Sequence, residues 1–375
     1  MTFEERLGQT LWIWYSLCVG AATKSGPKGL RRMSLTDIYR ADAATLRRVG
    51  GFPEKMASRL ADKDIDRAQE ISDWCTDRQI RVIGLTDSAY PASLAEIENP
   101  PCVLYIRGKL PEFGEKPAFA VVGSRKRSDY GGHTAQTIAY ELARQGFAVI
   151  SGLARGIDTE AHKGAVKAGG YTVAVLGNGF DRCYPPENES MLEYIASAGT
   201  VISEYPPFSE ITPSNFPVRN RIISALSSAV IVVEARQGSG ALITAELARK
   251  QGRSVYSVPG LANSPWSKGS NELIRNGAKL ISGARDVLED FGFEPLCAPV
   301  SQAPSPFAEE DPPASLGEGE GPEARILRAL KQGPKTTDEL ARLLQQDAGT
   351  LMGTLTLMEM KEDIRQTAGG LFRLV

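Results

Sequence analysis

Residues 118–158 read Ala118-Phe119-Ala120-Val121-Val122-Gly123-Ser124-Arg125, then a polar, helix-periodic stretch His133–Gln145, then Ala148-Val149-Ile150-Ser151-Gly152-Leu153-Ala154-Arg155-Gly156-Ile157-Asp158. Phe119–Val122 and Ala148–Ser151 are apolar throughout, whereas a strand with one wet face would alternate. Each run ends in a glycine turn, and an amphipathic helix separates them. That order is a βαβ unit, and it predicts parallel strands buried on both faces. The pattern repeats downstream. Apolar runs at Val173–Leu176, Thr200–Ser203, Val230–Glu234 and Val255–Val258 alternate with helix patterns at Thr159–Ala168, Glu189–Ala198, Arg221–Leu226, Thr244–Gln251 and Asn271–Asn276. The fold class is therefore α/β, a doubly wound, extended Rossmann-like, mostly parallel sheet spanning residues 79–295.

Two flanking regions have other patterns. Residues 1–78 carry helical spacing in Leu7–Val19, Leu35–Tyr39, Leu46–Val49 and Ile65–Trp74, with Thr36-Asp37 and Asp42 as helix starts and Gly50-Gly51-Phe52-Pro53 as a break. This reads as a small helical domain of the SAM or helix-hairpin-helix kind. Residues 296–322 are Pro-, Ser- and Glu-rich and read as an acidic linker. Beyond them, Glu323–Gln332, Thr336–Leu344 and Gly349–Lys361 read as three helices. Residues 363–367 and 371–375 read as a hairpin, so 323–375 is expected to be a winged-helix module. Thr336 and Glu339 have capping-box spacing.

Composition excludes several classes. The 375 residues are 42% hydrophobic and 23% charged, ordinary for a multi-domain globular chain. The longest early apolar run, Leu11–Ala22, is too short for a bilayer. It follows Glu4-Glu5-Arg6 rather than a basic signal opening, so neither membrane insertion nor export is expected. Five cysteines without a CxxC pair and only two histidines argue against a disulfide framework or a metal centre and point to a reducing cytoplasm. No cofactor is expected. The net charge of −2 hides an asymmetry. Residues 291–325 hold one basic and seven acidic side chains, and the remainder of the chain is +4. Bulk charge thus leaves room for a local basic groove.

The strand-end loops carry the candidate chemistry. Ligands of open parallel sheets bind beyond the carboxyl ends of the strands. Gly123-Ser124-Arg125 sets an arginine beside an anion-ready turn. Gly152, Arg155 and Gly156 belong to a second glycine loop, whose spacing fits neither a dinucleotide fingerprint nor a Walker A loop. Lys163 follows it, beside His162, which reads as a structural hydrogen-bonding residue. Gly238-Ser239-Gly240 opens a further helix, and Pro259-Gly260 with the later Lys268-Gly269-Ser270-Asn271 forms the last such loop. Phe216-Pro217-Val218-Arg219-Asn220-Arg221 combines an aromatic face with cations, the pairing that single-stranded nucleic acid requires. The alternative for Arg219 and Arg221 is ion pairing with core acids such as Asp158 or Glu204.

The ordered set GSR (123–125), SGLARGID (151–158), AHKGA (161–165), YPP (184–186), ISEYPP (202–207), FPVRNRIIS (216–224), GSGALITAELA (238–248), VPG (258–260) and GSNELIRNGA (269–278) resembles the DNA processing protein A (DprA/Smf) family. The likeness covers about residues 80–290. It implies a cytoplasmic, homodimeric, single-stranded-DNA-binding mediator of natural transformation that protects incoming strands and helps load the RecA recombinase, with no catalytic activity. Carried over residue by residue, Arg125, Lys163, Phe216, Arg219 and Arg221 would line the groove. Pro186 stands where relatives often have Lys, leaving Arg182 or Lys268 to compensate. A competing reading is a Rossmann-like nucleoside-monophosphate hydrolase, with Glu246 as its acid. Against it, the paired glycines of that cleavage motif are missing and Phe216–Arg221 goes unexplained. A transcription factor acting through the wing is a third reading.

Overall fold

The computed structural model describes residues 3–111, 113, 116–294, 322–331, 333–344, 346, 348–360, 363–367 and 371–374. The chain divides into two compact units, Met1–Ala308 and Glu309–Val375. The expected linker 296–322 lies outside the described residues, apart from Pro322.

The first unit is built on a nine-stranded sheet. Its strands are β1 (Ile80–Gly84), β2 (Val103–Gly108), β3 (Ala118–Val122), β4 (Ala148–Ser151), β5 (Thr172–Leu176), β6 (Thr200–Ser203), β7 (Ala229–Val232), β8 (Ser254–Ser257) and β9 (Lys279–Leu280). Their order is β1-β2-β6-β5-β4-β3-β7-β8-β9. From β6 to β9 every pairing is parallel, and β2 joins β6 antiparallel, with β1 antiparallel to β2. The six apolar runs of the sequence are β3 to β8, shifted by at most a residue or two at their ends. The edge strands β1 and β9, and β2 between β1 and β6, lie outside those six runs.

Burial on both faces is visible residue by residue. Ala118, Ala120 and Val122 of β3 join one core, with Val230 and Val232 of β7. Phe119 and Val121 join the core on the opposite face, with Ala229 and Ile231. This is the period-2 alternation of a strand, with apolar side chains required at both phases because helices cover both faces.

The chain winds from β3 outward through β4, β5 and β6, then returns to place β7 on the other side of β3. The winding direction reverses between β3 and β7. At such a switch point the loops leaving adjacent strands diverge to opposite faces and leave a crevice.

The N-terminal helices Phe3–Val19, Ser25–Leu30, Leu35–Arg40, Glu54–Asp62 and Asp66–Asp77 pack through Trp14, Tyr15, Leu60 and Ile71 onto Ile80, Val103 and Tyr105 of β1 and β2. Residues 1–78 thus share one core with the sheet edge. Asp42 accepts from the Thr45 amide as the expected cap, and Gly51, at φ +70°, makes the expected break. The helix expected to start at Thr36-Asp37 starts earlier, at Leu35, because Ser34 is its cap and accepts from the Asp37 amide.

The second unit contains helices Pro322–Lys331, Thr337–Leu344 and Ala348–Met360 and strands β10 (Lys335–Thr336), β11 (Ile364–Thr367) and β12 (Leu371–Leu374) in the order β10-β12-β11. The capping box is formed: the Glu339 amide donates to Thr336 Oγ1 at 3.3 Å, and the Thr336 amide to Glu339 Oε2 at 2.8 Å. Strand β10 adds a third member to the expected hairpin.

Candidate nucleic-acid interface at the switch point

A crevice of about 390 Å³ opens at the carboxyl ends of β3 and β7, where the topology requires one. The loop leaving β3 supplies Gly123, Ser124, Arg125 and Lys126. The loop leaving β7 supplies Arg236, Gln237, Gly238, Ser239 and Gly240. Phe216 and Pro217 close one end, and Asp158, Arg219 and Asn220 lie beneath.

Hydrogen bonds hold the two loops together. The Ser124 amide donates to the Glu234 carbonyl at 2.8 Å, and the Arg236 amide to Ser124 Oγ at 3.3 Å. Glu234 is buried and accepts from the Ser128 amide at 3.0 Å, while Ser128 caps the helix Asp129–Arg144. The backbone of Gly156, at φ +80°, passes so close to the carbonyls of Ser124 and Arg125 that a side chain there would collide with them. Across the crevice, Ser239 caps Gly240–Lys250, and Asn220 Nδ2 donates to the Gly240 carbonyl at 3.3 Å.

Beneath the rim lie two buried groups of opposite charge, Arg219 and Asp158. Arg219 is 3% exposed, and its Nη1 donates to the Gly152 carbonyl at 2.7 Å and to the Val175 carbonyl. Gly152 makes room for it, since a Cβ there would stand 2.5 Å from the guanidinium. Burial lowers the Arg219 pKa to about 10, so the group remains a cation at neutral pH. Asp158 accepts from the Gly152, Ala154 and Gly123 amides, tying the exits of β3 and β4 together. Burial pushes its carboxyl up, opposed by Arg219. Asp158 thus serves the loop amides rather than capping its own helix.

Of the sequence candidates, Gly123, Ser124, Arg125, Phe216, Arg219, Asn220, Gly238, Ser239 and Gly240 meet at this one crevice. Gly152 and Arg155 line a small recess beside it with Arg125, Tyr184 and Phe216. Arg155 is paired with Glu187. Arg125 is exposed, with its guanidinium 5.0 Å from the centre of the half-buried Phe216 ring, and Tyr184 tilts against the same ring at 5.2 Å.

Five cations require correction. Arg221 points away from the crevice, donating to buried Glu204 at 2.7 Å and to the Asn99 carbonyl at 2.9 Å. Helical spacing is the reason: two residues after Arg219 is about 200° around the helix, so both cannot face one groove. Arg219 lies under the crevice as a floor charge rather than on its surface. Lys163 bonds Glu160 at 3.4 Å from the second turn of Ile157–Lys167, and Lys268 begins the helix Lys268–Arg275; neither lines the crevice. Arg182, proposed to compensate for Pro186, pairs with Asp181 at 3.0 Å and is also absent from the lining.

Lys126, Arg236 and Gln237 line the crevice and escaped the sequence reading. Their signal was present: Lys126 directly follows Gly123-Ser124-Arg125, and Arg236 and Gln237 directly precede the glycine turn Gly238-Ser239-Gly240. His162 is fully buried with Nδ1 2.8 Å from Thr172 Oγ1, and burial together with the nearby Arg219 lowers its pKa to about 3. Glu246 is exposed and paired with Lys250 at 2.6 Å, outside the crevice.

Fold and crevice together define a class: a Rossmann-like α/β protein with an open, cation-rimmed, aromatic-bearing cleft at its switch point. The chain belongs to the DNA recombination-mediator protein A family, whose model matches residues 81–292; the DprA winged-helix model matches residues 309–370. It is 37% identical to Protein Smf of Synechocystis over 77% of this chain and 74% of that protein. It is 42% identical to DNA processing protein DprA of Streptococcus pneumoniae over 56% of this chain and 73% of that one. The crystal structure of the S. pneumoniae protein superposes with a TM-score of 0.60 at 33% identity, covering 72% of this chain and 98% of that one. DNA processing protein A from Helicobacter pylori, whose structure is described for its single-stranded DNA binding mode, superposes with a TM-score of 0.51 at 29% identity, covering 57% and 95%. Among the described residues no helix is long and apolar enough to cross a membrane, and no cluster of three or more potential metal-ligating side chains occurs.

Proposed function

We propose that the switch-point crevice binds single-stranded DNA and that the chain is a non-catalytic, cytoplasmic recombination mediator of natural transformation, working as a homodimer that protects incoming strands and helps load RecA. One observation carries the binding reading: exposed Arg125, Lys126 and Arg236 rim a cleft that also holds the aromatic face of Phe216. Phosphates need the cations and bases need the ring, and a cleft open to solvent accepts a flexible strand. The homodimer, the natural-transformation role and the RecA partnership rest on family membership.

The hydrolase reading needs an acid or base aimed at a substrate. Asp158 is committed to three backbone amides and Glu246 to Lys250, which favours binding over turnover.

Titration with a fluorescent oligonucleotide, single-stranded against double-stranded, tests the proposal. Tight, salt-sensitive binding of the single strand is expected, and equal or absent binding of both would overturn it. Incubation with nucleoside monophosphates, with and without magnesium, should give no product. Turnover abolished by Glu246→Ala would replace this reading with the hydrolase.

A further inference from the structure

The crevice has a second aromatic partner that belongs to no sequence motif. Trp266 lies in the loop between β8 and the helix Lys268–Arg275, and the Arg236 guanidinium stacks 3.6 Å from the centre of one of its rings. Arg236 is exposed and lines the crevice; Trp266 is half-buried.

Several contacts fix this pair in place. Gly269 approaches the backbone so closely that a Cβ would sit 2.8 Å from the carbonyls of both Ala235 and Arg236, and its amide donates to the Ala235 carbonyl at 2.8 Å. This draws the Trp266 loop against the exit of β7. On the other flank Asn271 clamps Gly260, accepting from its amide at 3.1 Å and donating to its carbonyl at 2.9 Å. The Trp266 amide bonds Ser264 Oγ at 3.3 Å. A guanidinium seated 3.6 Å from the centre of an indole ring, on a loop pinned by these contacts, gives up rotamer freedom before any ligand arrives, so little further entropy is spent on binding.

We infer that Arg236, backed by Trp266, is a second nucleobase-stacking platform, so that a single strand is held at two bases: one by Phe216 beside Arg125, the other by the Arg236–Trp266 stack. Guanidinium planes stack on bases as aromatic rings do. Phe216 packs on Gly177 at the exit of β5, while Arg236 follows β7. Those strands stand three positions apart in the sheet, about 14 Å at strand spacing, more than one nucleotide covers. Arg236 would touch the base, and Trp266 positions Arg236. The inference rests on the single-strand reading of the crevice.

The test uses the full chain and a fifteen-residue oligothymidylate. Trp266→Leu keeps bulk in the loop and removes the π face, and is expected to weaken binding about 5- to 150-fold, the range of one base stack. Its log–log salt slope should stay at the wild-type value, because no phosphate contact is lost. Trp266→Phe should restore most of the affinity. Arg236→Lys keeps the charge and loses the plane, so it should weaken binding at unchanged slope, and in combination with Trp266→Leu the two losses should fail to add. Trp266→Leu that binds like wild type while Phe216→Ala binds weakly would overturn this inference alone. Wild-type protein that binds no single strand would overturn both it and the function proposed above. Additive losses from Arg236→Lys and Trp266→Leu would remove the stacked pair from the explanation.

Discussion

The arginines around the switch point fall into two regions with opposite physical roles. Arg125 and Arg236 stand on the rim, exposed, each lying against an aromatic ring and, among the described residues, in no ion pair with a carboxylate. Arg219 and Arg221 stand inside, 3% and 7% exposed, bonded to main-chain carbonyls and, for Arg221, to Glu204. The interior pair assembles the scaffold: Arg219 joins the exits of β4 and β5 through the Gly152 and Val175 carbonyls. Arg221 joins Glu204, which also accepts from the Ala22 amide at 2.9 Å, so the N-terminal segment, the exit of β6 and the helix Asn215–Ala225 meet at one carboxylate. The rim pair has spare binding capacity. Cations that look equivalent in a motif therefore divide into those the fold consumes and those it leaves available.

The division predicts that interior substitutions lower stability and rim substitutions lower affinity. The largest effect should follow Arg221→Ala. It strands Glu204 as an unpaired buried charge, for which about 3–5 kcal/mol of destabilisation is the usual magnitude. Urea denaturation measures it, and an unchanged midpoint would break the comparison at its strongest point.

Acid should find the interior next. The folded-state pKa of His162, about 3, lies below the unfolded value of about 6.5. The unfolded chain then takes up a proton that the folded one refuses. Stability is full above about pH 6.5 and declines as pH falls toward 3, by up to about 1.4 kcal/mol per unit. Denaturation midpoints at pH 7 and pH 5 should separate in wild type and converge in His162→Gln.

Rim substitutions should leave those midpoints alone. Phe216→Ala is expected to lower single-strand affinity about 5- to 150-fold with an unchanged salt slope. Arg125→Ala should reduce the slope of log affinity on log salt by about 0.7, the release expected from one phosphate contact on a single strand. A variant that lost stability and affinity together would mean that rim and interior are one structural unit. The smallest effect should come from ending the chain at Glu294. Folding and single-strand binding should persist, because the crevice is lined wholly from within the first unit. Loss of most affinity would move the binding to the winged-helix unit.

The architecture is legible in local sequence pattern. Apolar runs without alternation, separated by helical periods, admit only a two-sided parallel sheet, and glycine turns at the run ends mark where a ligand can approach. The cap at Asp42, the capping box at Thr336 and Glu339, and the helices and hairpin of the second unit are equally local, because each depends on neighbours within a few residues. The gathering of Gly123–Arg125, Phe216 and Gly238–Gly240 at one cleft also follows from strand alternation, since all successive parallel strands end on the same edge. Which side chains face that cleft depends on long-range packing. Arg219 and Arg221 differ by two positions on a helix packed on both sides, and their fates depend on Gly152, Val175, Glu204 and Asn99, far away in the chain. Trp266 reaches Arg236 across thirty residues because Gly269 permits one close backbone approach. Burial and long-range pairing depend on the whole packed volume, and no local pattern encodes them.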